Sequence, residues 1–214
     1  KYKSDHRQQY SEWVGQLYGN TIDYDGYAQP SNTPLQTKSD AIIFDTNYKV
    51  GFHFSSQKNH GAYLGLGFRY WFRNIRSGND INGNPVAGLL EHYYWYYSML
   101  GYAADFVIND TYNVGFDIRH THMIDAKMDV DFLGYNNYDN TQVNLGNNSG
   151  LRIAVPIRIK TRTRSLTVSH YYEMINIGRS NDVSVTINGI PTTTLVHEPR
   201  SETRNVGIEV SWLW

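Results

Sequence analysis

The stretch NVGIEVSWLW, at Asn205–Trp214, decides the reading of the whole chain. Val206, Ile208, Val210, Trp212 and Trp214 fall on one side, and Asn205, Gly207, Glu209 and Ser211 on the other. A β-strand sends successive side chains to opposite faces, so this is a strand with one apolar and one polar face, and only Leu213 departs from it. The decisive question is which face looks toward the protein's own interior.

The same alternation recurs, and eight strands are predicted near 10–24, 41–54, 61–73, 92–107, 111–126, 142–160, 165–178 and 192–214. Leu64, Leu66, Phe68, Tyr70 and Phe72 oppose Gly65, Gly67, Arg69 and Arg73. Ile42, Phe44, Tyr48, Val50 and Phe52 oppose Asp45, Asn47 and Lys49. Tyr112, Val114, Phe116 and Ile118 oppose Asp117 and Arg119; Ile153, Val155, Ile157 and Ile159 oppose Arg152 and Arg158. Leu166, Val168, Tyr172 and Met174 oppose Ser169 and Glu173. The first segment is less regular, with Gln16 and Asn20 on its polar side.

The spacers alternate in length. SSQKNH (55–60), NDT (109–111) and KTRTRS (160–165) are short, whereas those near 25–40, 74–91, 127–147 and 179–202 are long and rich in Gly, Asn and Ser. Short turns at one end and long loops at the other suit an up-and-down barrel of a bacterial outer membrane.

Composition agrees with a strand protein. The chain has 214 residues, room for one domain, with 18 tyrosines, five tryptophans and 18 glycines. A formal charge of -1 gives no sign of a nucleic-acid partner. Without cysteine there is neither a disulfide framework nor a thiolate metal site. No apolar run reaches the roughly 18 residues of a transmembrane helix. The opening KYKSDHRQQ is too polar for a signal peptide, so a mature or trimmed chain is expected.

Three features turn the apolar faces outward, toward lipid. The apolar stretches run about 9–11 residues, the length of a tilted strand across a bilayer. Aromatics crowd strand ends in EHYYWYY (91–97), FRYWF (68–72) and the terminal WLW, as in interfacial girdles. The opposite faces mix glycines with charges of both signs, which suits the filled interior of a narrow barrel. A soluble barrel with the apolar face inward is the alternative.

The ending V-x-I-x-V-x-W-x-W at Val206–Trp214 resembles the closing strand of bacterial outer-membrane barrels, and the eight-strand layout is similar to the small OmpX, OmpA-transmembrane and opacity-type barrels. The resemblance implies one all-β domain over 1–214: an eight-stranded antiparallel up-and-down transmembrane β-barrel with long extracellular loops and short periplasmic turns. It further implies that Val210, Trp212 and Trp214 form an insertion signal read by the barrel-insertion machinery. Outer-membrane lipid and lipopolysaccharide are then the expected surroundings.

With lipid outside, Asp45, Lys49, Arg69, Arg73, Asp117, Arg119, Arg152, Arg158, Glu173 and Glu209 point inward and are expected to pair as a charge network, because an unpaired buried charge costs several kcal/mol. A structural or surface-interaction role leads, with an extracellular protein ligand held through the long loops. A narrow pore is the first alternative. A lipid A deacylase or acyltransferase is the second, with His120, His122 or His170 as base. Ser169 and His170 are neighbours on one strand, however, so their side chains diverge, and the H-x-S pattern of the outer-membrane deacylases is missing. No catalytic residue, metal ligand or cofactor is expected. Asp125, Asp129 and Asp131 share a face that suits calcium chemically, but a solvated acidic rim is the favoured reading.

In DVSVTINGIPTTTLVHEP (182–199), two β-rich runs flank Asn188-Gly189, a strong hairpin signal. A fin is expected to project there, carried by Val183, Val185, Asn188, Gly189, Thr194 and Val196. Met128, Val130 and Phe132 are expected to extend the fifth strand, and Val143 and Leu145 to precede the sixth in phase. Pro156 is expected to sit at a bulge or to break a ladder bond.

Overall fold

The computed structural model describes residues 2–6, 8–28, 33–146, 148–160 and 165–213. In chain order the strands are β1 (Tyr2–His6), β2 (Gln9–Ala28), β3 (Thr33–His53), β4 (His60–Ile75), β5 (Gly78–Asn79), β6 (Pro85–Val86) and β7 (Leu89–Val107). There follow β8 (Tyr112–Asp131), β9 (Thr141–Asn144), β10 (Ser149–Lys160), β11 (Ser165–Ile177), β12 (Val183–Ile187), β13 (Ile190–Val196) and β14 (Ser201–Leu213). The main sheet is antiparallel and runs β1-β2-β3-β4-β7-β8-β10-β11-β14, with β9 added to β8. Eight of these strands are long and follow one another up and down, so the sheet curls. Among the described residues no ladder joins β14 to β2. Their side chains nevertheless meet, for Gln16 Nε2 donates to Glu209 Oε2 at 3.0 Å.

The convex face carries the large apolar side chains and the concave face the charges. Leu17 (74% exposed), Leu64 (66%), Leu100 (64%) and Ile208 (61%) look outward, while Asp45 and Arg69 are buried inside. Four tyrosines on the concave face lie directly opposite glycines in the ladder: Tyr10 on Gly51, Tyr97 on Gly67, Tyr63 on Gly101 and Tyr171 on Gly207. A Cβ at Gly67 would stand 2.3 Å from the Tyr97 ring, and one at Gly101 2.3 Å from that of Tyr63. Only glycine lets these rings lie flat across the neighbouring strand.

Toward the long-loop end the polarity inverts. On β3 the outward row reads Gln36, Lys38, Asp40, then Ile42 and Phe44, while Leu35 is buried inside. On β14 it reads Glu202, Arg204, then Val206, Ile208 and Val210. On β8 the backbone makes the change. Tyr94 pairs with Lys127 and Tyr96 with Ile124, so Trp95 opposes both Asp125 and Ala126. This is a β-bulge, and Asp125 takes a left-handed φ of 50° that aspartate tolerates better than most residues. One extra residue flips the parity of everything beyond it. Met128 and Val130 extend the strand as expected, but beyond the bulge they point inward and are buried, and Phe132, just past the strand's end, packs beside them.

Two strand boundaries also need correction. The segment expected over 142–160 is broken: β9 pairs with the upper part of β8, and the ladder resumes only at Ser149. The segment expected over 192–214 starts at Ser201, because β13 belongs to a separate two-stranded sheet with β12. Elsewhere the ladders run beyond the apolar stretches, most of all in β2 and β3, because hydrogen bonding continues after outward polarity changes. At Pro156, which donates no amide, the β8–β10 ladder lapses over Val155 and Pro156 and resumes in the same register, so there is no bulge.

Candidate functional site

The concave face holds all ten of the inward charges read from strand parity. At its centre Arg69 Nε donates to Asp45 Oδ2 at 2.7 Å, and Arg69 Nη2 to Glu173 Oε1 at 3.2 Å. Arg119 lies 3.7 Å from the same Glu173 oxygen, and the Tyr97 hydroxyl donates to Asp45 at 2.8 Å. Asp45 comes from β3, Arg69 from β4 and Glu173 from β11, so this cluster ties distant strands across the hollow. Nearer the short turns, Lys49 pairs with Glu12 (3.2 Å), Arg152 with Glu209 (2.8 Å) and Arg158 with Asp105 (3.0 Å). The Tyr63 hydroxyl donates to Asp117 at 2.9 Å. Lys49 Nζ stands 4.4 Å from the centre of the Tyr63 ring, and the Arg152 guanidinium 4.1 Å from that of Tyr171, both favourable placements for a cation. These groups surround a polar cavity of about 180 Å³ that reaches Lys58, Asn59 and His60 at the short-turn end.

The opposite end is apolar and covered. Tyr93, Trp95, Met128, Val130, Val143, Leu145, Ile175 and Ile177 form a buried cluster, against which Leu89, Phe132, Val183 and Val196 pack. The β12–β13 hairpin lies beside it rather than projecting free. Of the six residues expected to carry the fin, Val185 is fully buried, Val183, Thr194 and Val196 are half-buried, and Asn188 and Gly189 at the turn are exposed, as are Ile190 and Leu195 on the second strand. The fastening comes from the loop before β9. Asp139 Oδ2 accepts hydrogen bonds from Thr186 Oγ1 (2.6 Å) and the Gly189 amide (2.8 Å), and its own amide donates to the Thr186 carbonyl (2.9 Å). Asn188 and Gly189 have φ of 49° and 76°, the left-handed pair that a tight hairpin turn requires.

Level with that cluster, at the long-loop end, sits a second group of buried carboxyls. Arg73 lies 3.3 Å from Glu91, and the Tyr93 hydroxyl donates to Glu91 at 3.0 Å. Glu198, in the segment from β13 to β14, is buried as well; its amide donates to Ser180 Oγ and its carbonyl accepts from the Ser180 amide. Burial, followed by the neighbouring Glu91 charge, pushes the Glu198 carboxyl up to about 7, partly offset by Arg73 and Tyr93. Burial likewise raises Glu91. Two carboxyls share one arginine here.

Strand parity alone would have found Glu12, which shares the side of Gln16, and Asp105, which shares that of Tyr97 and Gly101. Glu91 carries the same parity, one turn of the alternation beyond the apolar run. Glu198 lies in a loop and left no periodic signal.

The residues weighed for catalysis do not converge. His120, His122 and His170 are exposed on the convex face, whereas Ser169 and Glu173 lie on the concave one. Asp125 is occupied by Lys127 (3.0 Å), Asp129 accepts from Gln142 (2.8 Å) and Asp131 from the Leu133 amide (2.8 Å). Among the described residues no three His, Cys, Asp or Glu side chains are grouped to hold a metal ion. Of the three residues expected to form an insertion signal, Val210 faces outward; the Trp212 side chain and Trp214 lie outside the described residues. No family model and no curated protein matches the chain.

Proposed function

We propose that the chain is an eight-stranded barrel of a bacterial outer membrane, closed by β14 against the part of β2 beyond Trp13 that β1 leaves free, that does not conduct and that presents its fastened long-loop end as a surface-interaction element. The observation that carries this reading is the pairing of an exposed apolar convex face with a concave face of matched charges. A soluble monomer rarely exposes a contiguous apolar patch beyond a few hundred Å². Here such side chains run along every long strand, and the inversions on β3, β8 and β14 give the patch a polar upper limit. A bilayer accounts for both features: acyl chains beside the apolar rows, and headgroups and water beside Lys38, Asp40, Lys127 and Arg204.

The lumen argues against a pore. Arg69, Asp45 and Glu173 bridge its middle, and the apolar cluster under the β12–β13 hairpin covers the long-loop end. The test is made on protein refolded into detergent micelles and planar bilayers. The expected result is a folded monomer that precipitates when detergent is withdrawn and gives no stable channel openings. A monodisperse, folded chain in plain buffer overturns the membrane reading, and large steady openings overturn the closed lumen.

A further inference from the structure

On the convex face, just beyond the apolar rows, lies a hollow of about 280 Å³ walled by Tyr70, His92, Tyr94, Asp129, Asp131 and Asn140. We propose that this hollow holds an ammonium group, presented by a lipid headgroup or by a small soluble amine; its placement at headgroup depth rests on the membrane reading above. The ladder explains how it is built. Tyr70 stands opposite Tyr94, and His92 lies between Phe72 on one side and Asp129 on the other. The β8 bulge turns Asp129 and Asp131 outward into this row; without the extra residue they would face the hollow interior, with Met128 and Val130 outside.

The walls match a cation. Two tyrosines and two aspartates line it, aromatic and anionic groups that both attract a cation, and neither lysine nor arginine lines the space. Lys127, the nearest lysine in sequence, is turned to Asp125. The Tyr70 hydroxyl and His92 Nδ1 share a hydrogen bond of 2.5 Å, which fixes that wall. Gln142 Nε2 lies 2.7 Å from the Tyr94 hydroxyl and 2.8 Å from Asp129, which fixes the other. Beneath the hollow run Phe68, Tyr96 and Ile124, apolar outward residues beside which the chains of a bound lipid would lie. His92, Asp129 and Asp131 are not grouped closely enough to hold a metal ion, as no three such side chains are among the described residues, so an organic cation suits the hollow better.

The test uses the full chain in nanodiscs of equimolar phosphatidylethanolamine and phosphatidylglycerol, with lipid retained after mild extraction read by native mass spectrometry. Phosphatidylethanolamine should be retained at least about fivefold over phosphatidylglycerol. The preference should vanish in Asp129→Asn/Asp131→Asn, a pair of surface changes whose folding is checked by heat-modified gel mobility. A second arm titrates phosphoethanolamine into micelles and follows the His92 ring resonances. Lipid preference with a weak soluble response assigns the group to a lipid; a strong soluble response without lipid preference assigns it to a free amine. Equal lipid retention together with unmoved His92 resonances overturns the proposal. A chain that never enters the nanodisc overturns the membrane reading instead, so the two failures differ in kind.

Discussion

Arg69 is the residue on which the interior turns, since it bonds to both Asp45 and Glu173. Its replacement by methionine keeps the length of the side chain but leaves two buried carboxylates facing each other, with Arg119 as their remaining cation. Breaking a buried pair from one side costs about 3–5 kcal/mol, so Arg69→Met should lower the urea midpoint of the refolded protein sharply. Adding Asp45→Asn should restore part of the loss by removing one stranded charge. At this scale much was legible. Alternation settles which side of a strand a residue takes, so Asp45, Arg69, Glu173 and Glu209 could be set on one surface from their positions alone. Their partners could not be read, because pairing across a hollow depends on the curl and on relative strand heights. Tyr97 with Asp45, 52 positions apart, has no local trace in the sequence.

Strands and loops carry the next two expectations. Asp139 fastens the Asn188–Gly189 turn through three hydrogen bonds, two of them to its carboxylate. Asp139→Ala should free the β12–β13 hairpin, seen as faster protease cleavage within 183–196 while the long strands stay protected. The Glu198 carboxyl gives a pH dependence whose sign follows from its raised pKa. The covered arrangement favours the protonated acid, so its contribution is complete below the ordinary carboxyl value of 4.5 and is lost as pH climbs through about 7. The displacement corresponds to roughly 3 kcal/mol. Protection factors in 180–200, taken relative to the intrinsic base-catalysed exchange rate at each pH, should therefore be lower at pH 8 than at pH 5, and Glu198→Gln should flatten that difference. Neither the hairpin's seat nor this acid was legible beforehand. A turn signal such as Asn-Gly states that two runs fold back together, but not what they lie against. The β8 bulge hid the inward turn of Met128 and Val130, because nothing in MIDAKMDV (123–130) marks the inserted position except an aspartate that tolerates a left-handed φ.

For the molecule as a whole, closure is the property to test. Gln16 and Glu209 touch, and the sequence has no cysteine of its own. Gln16→Cys with Glu209→Cys should be joined by a short bis-maleimide in the folded state and remain unjoined in urea, read as a mobility change on a denaturing gel. Efficient joining in urea as well would remove the argument for β2 and β14 as neighbours. The up-and-down order was readable from alternating spacer lengths. The covered end was not, because it is made by two loops that meet only after the strands have set them side by side.

The inserted residue on β8 also works as a draught mark on a hull. Below it Ile124 and Phe116 look out; above it Lys127 and Asp129 do, and the same line is drawn on β3 between Asp40 and Ile42 and on β14 between Arg204 and Val206. In the bilayer proposed above, sinking by one alternation step would drag carboxylates and ammonium groups into oil, and rising by one would lift greasy rows into the aqueous phase. Such a vessel would be trimmed to a single immersion depth from several bearings at once, with its tilt fixed along with its height.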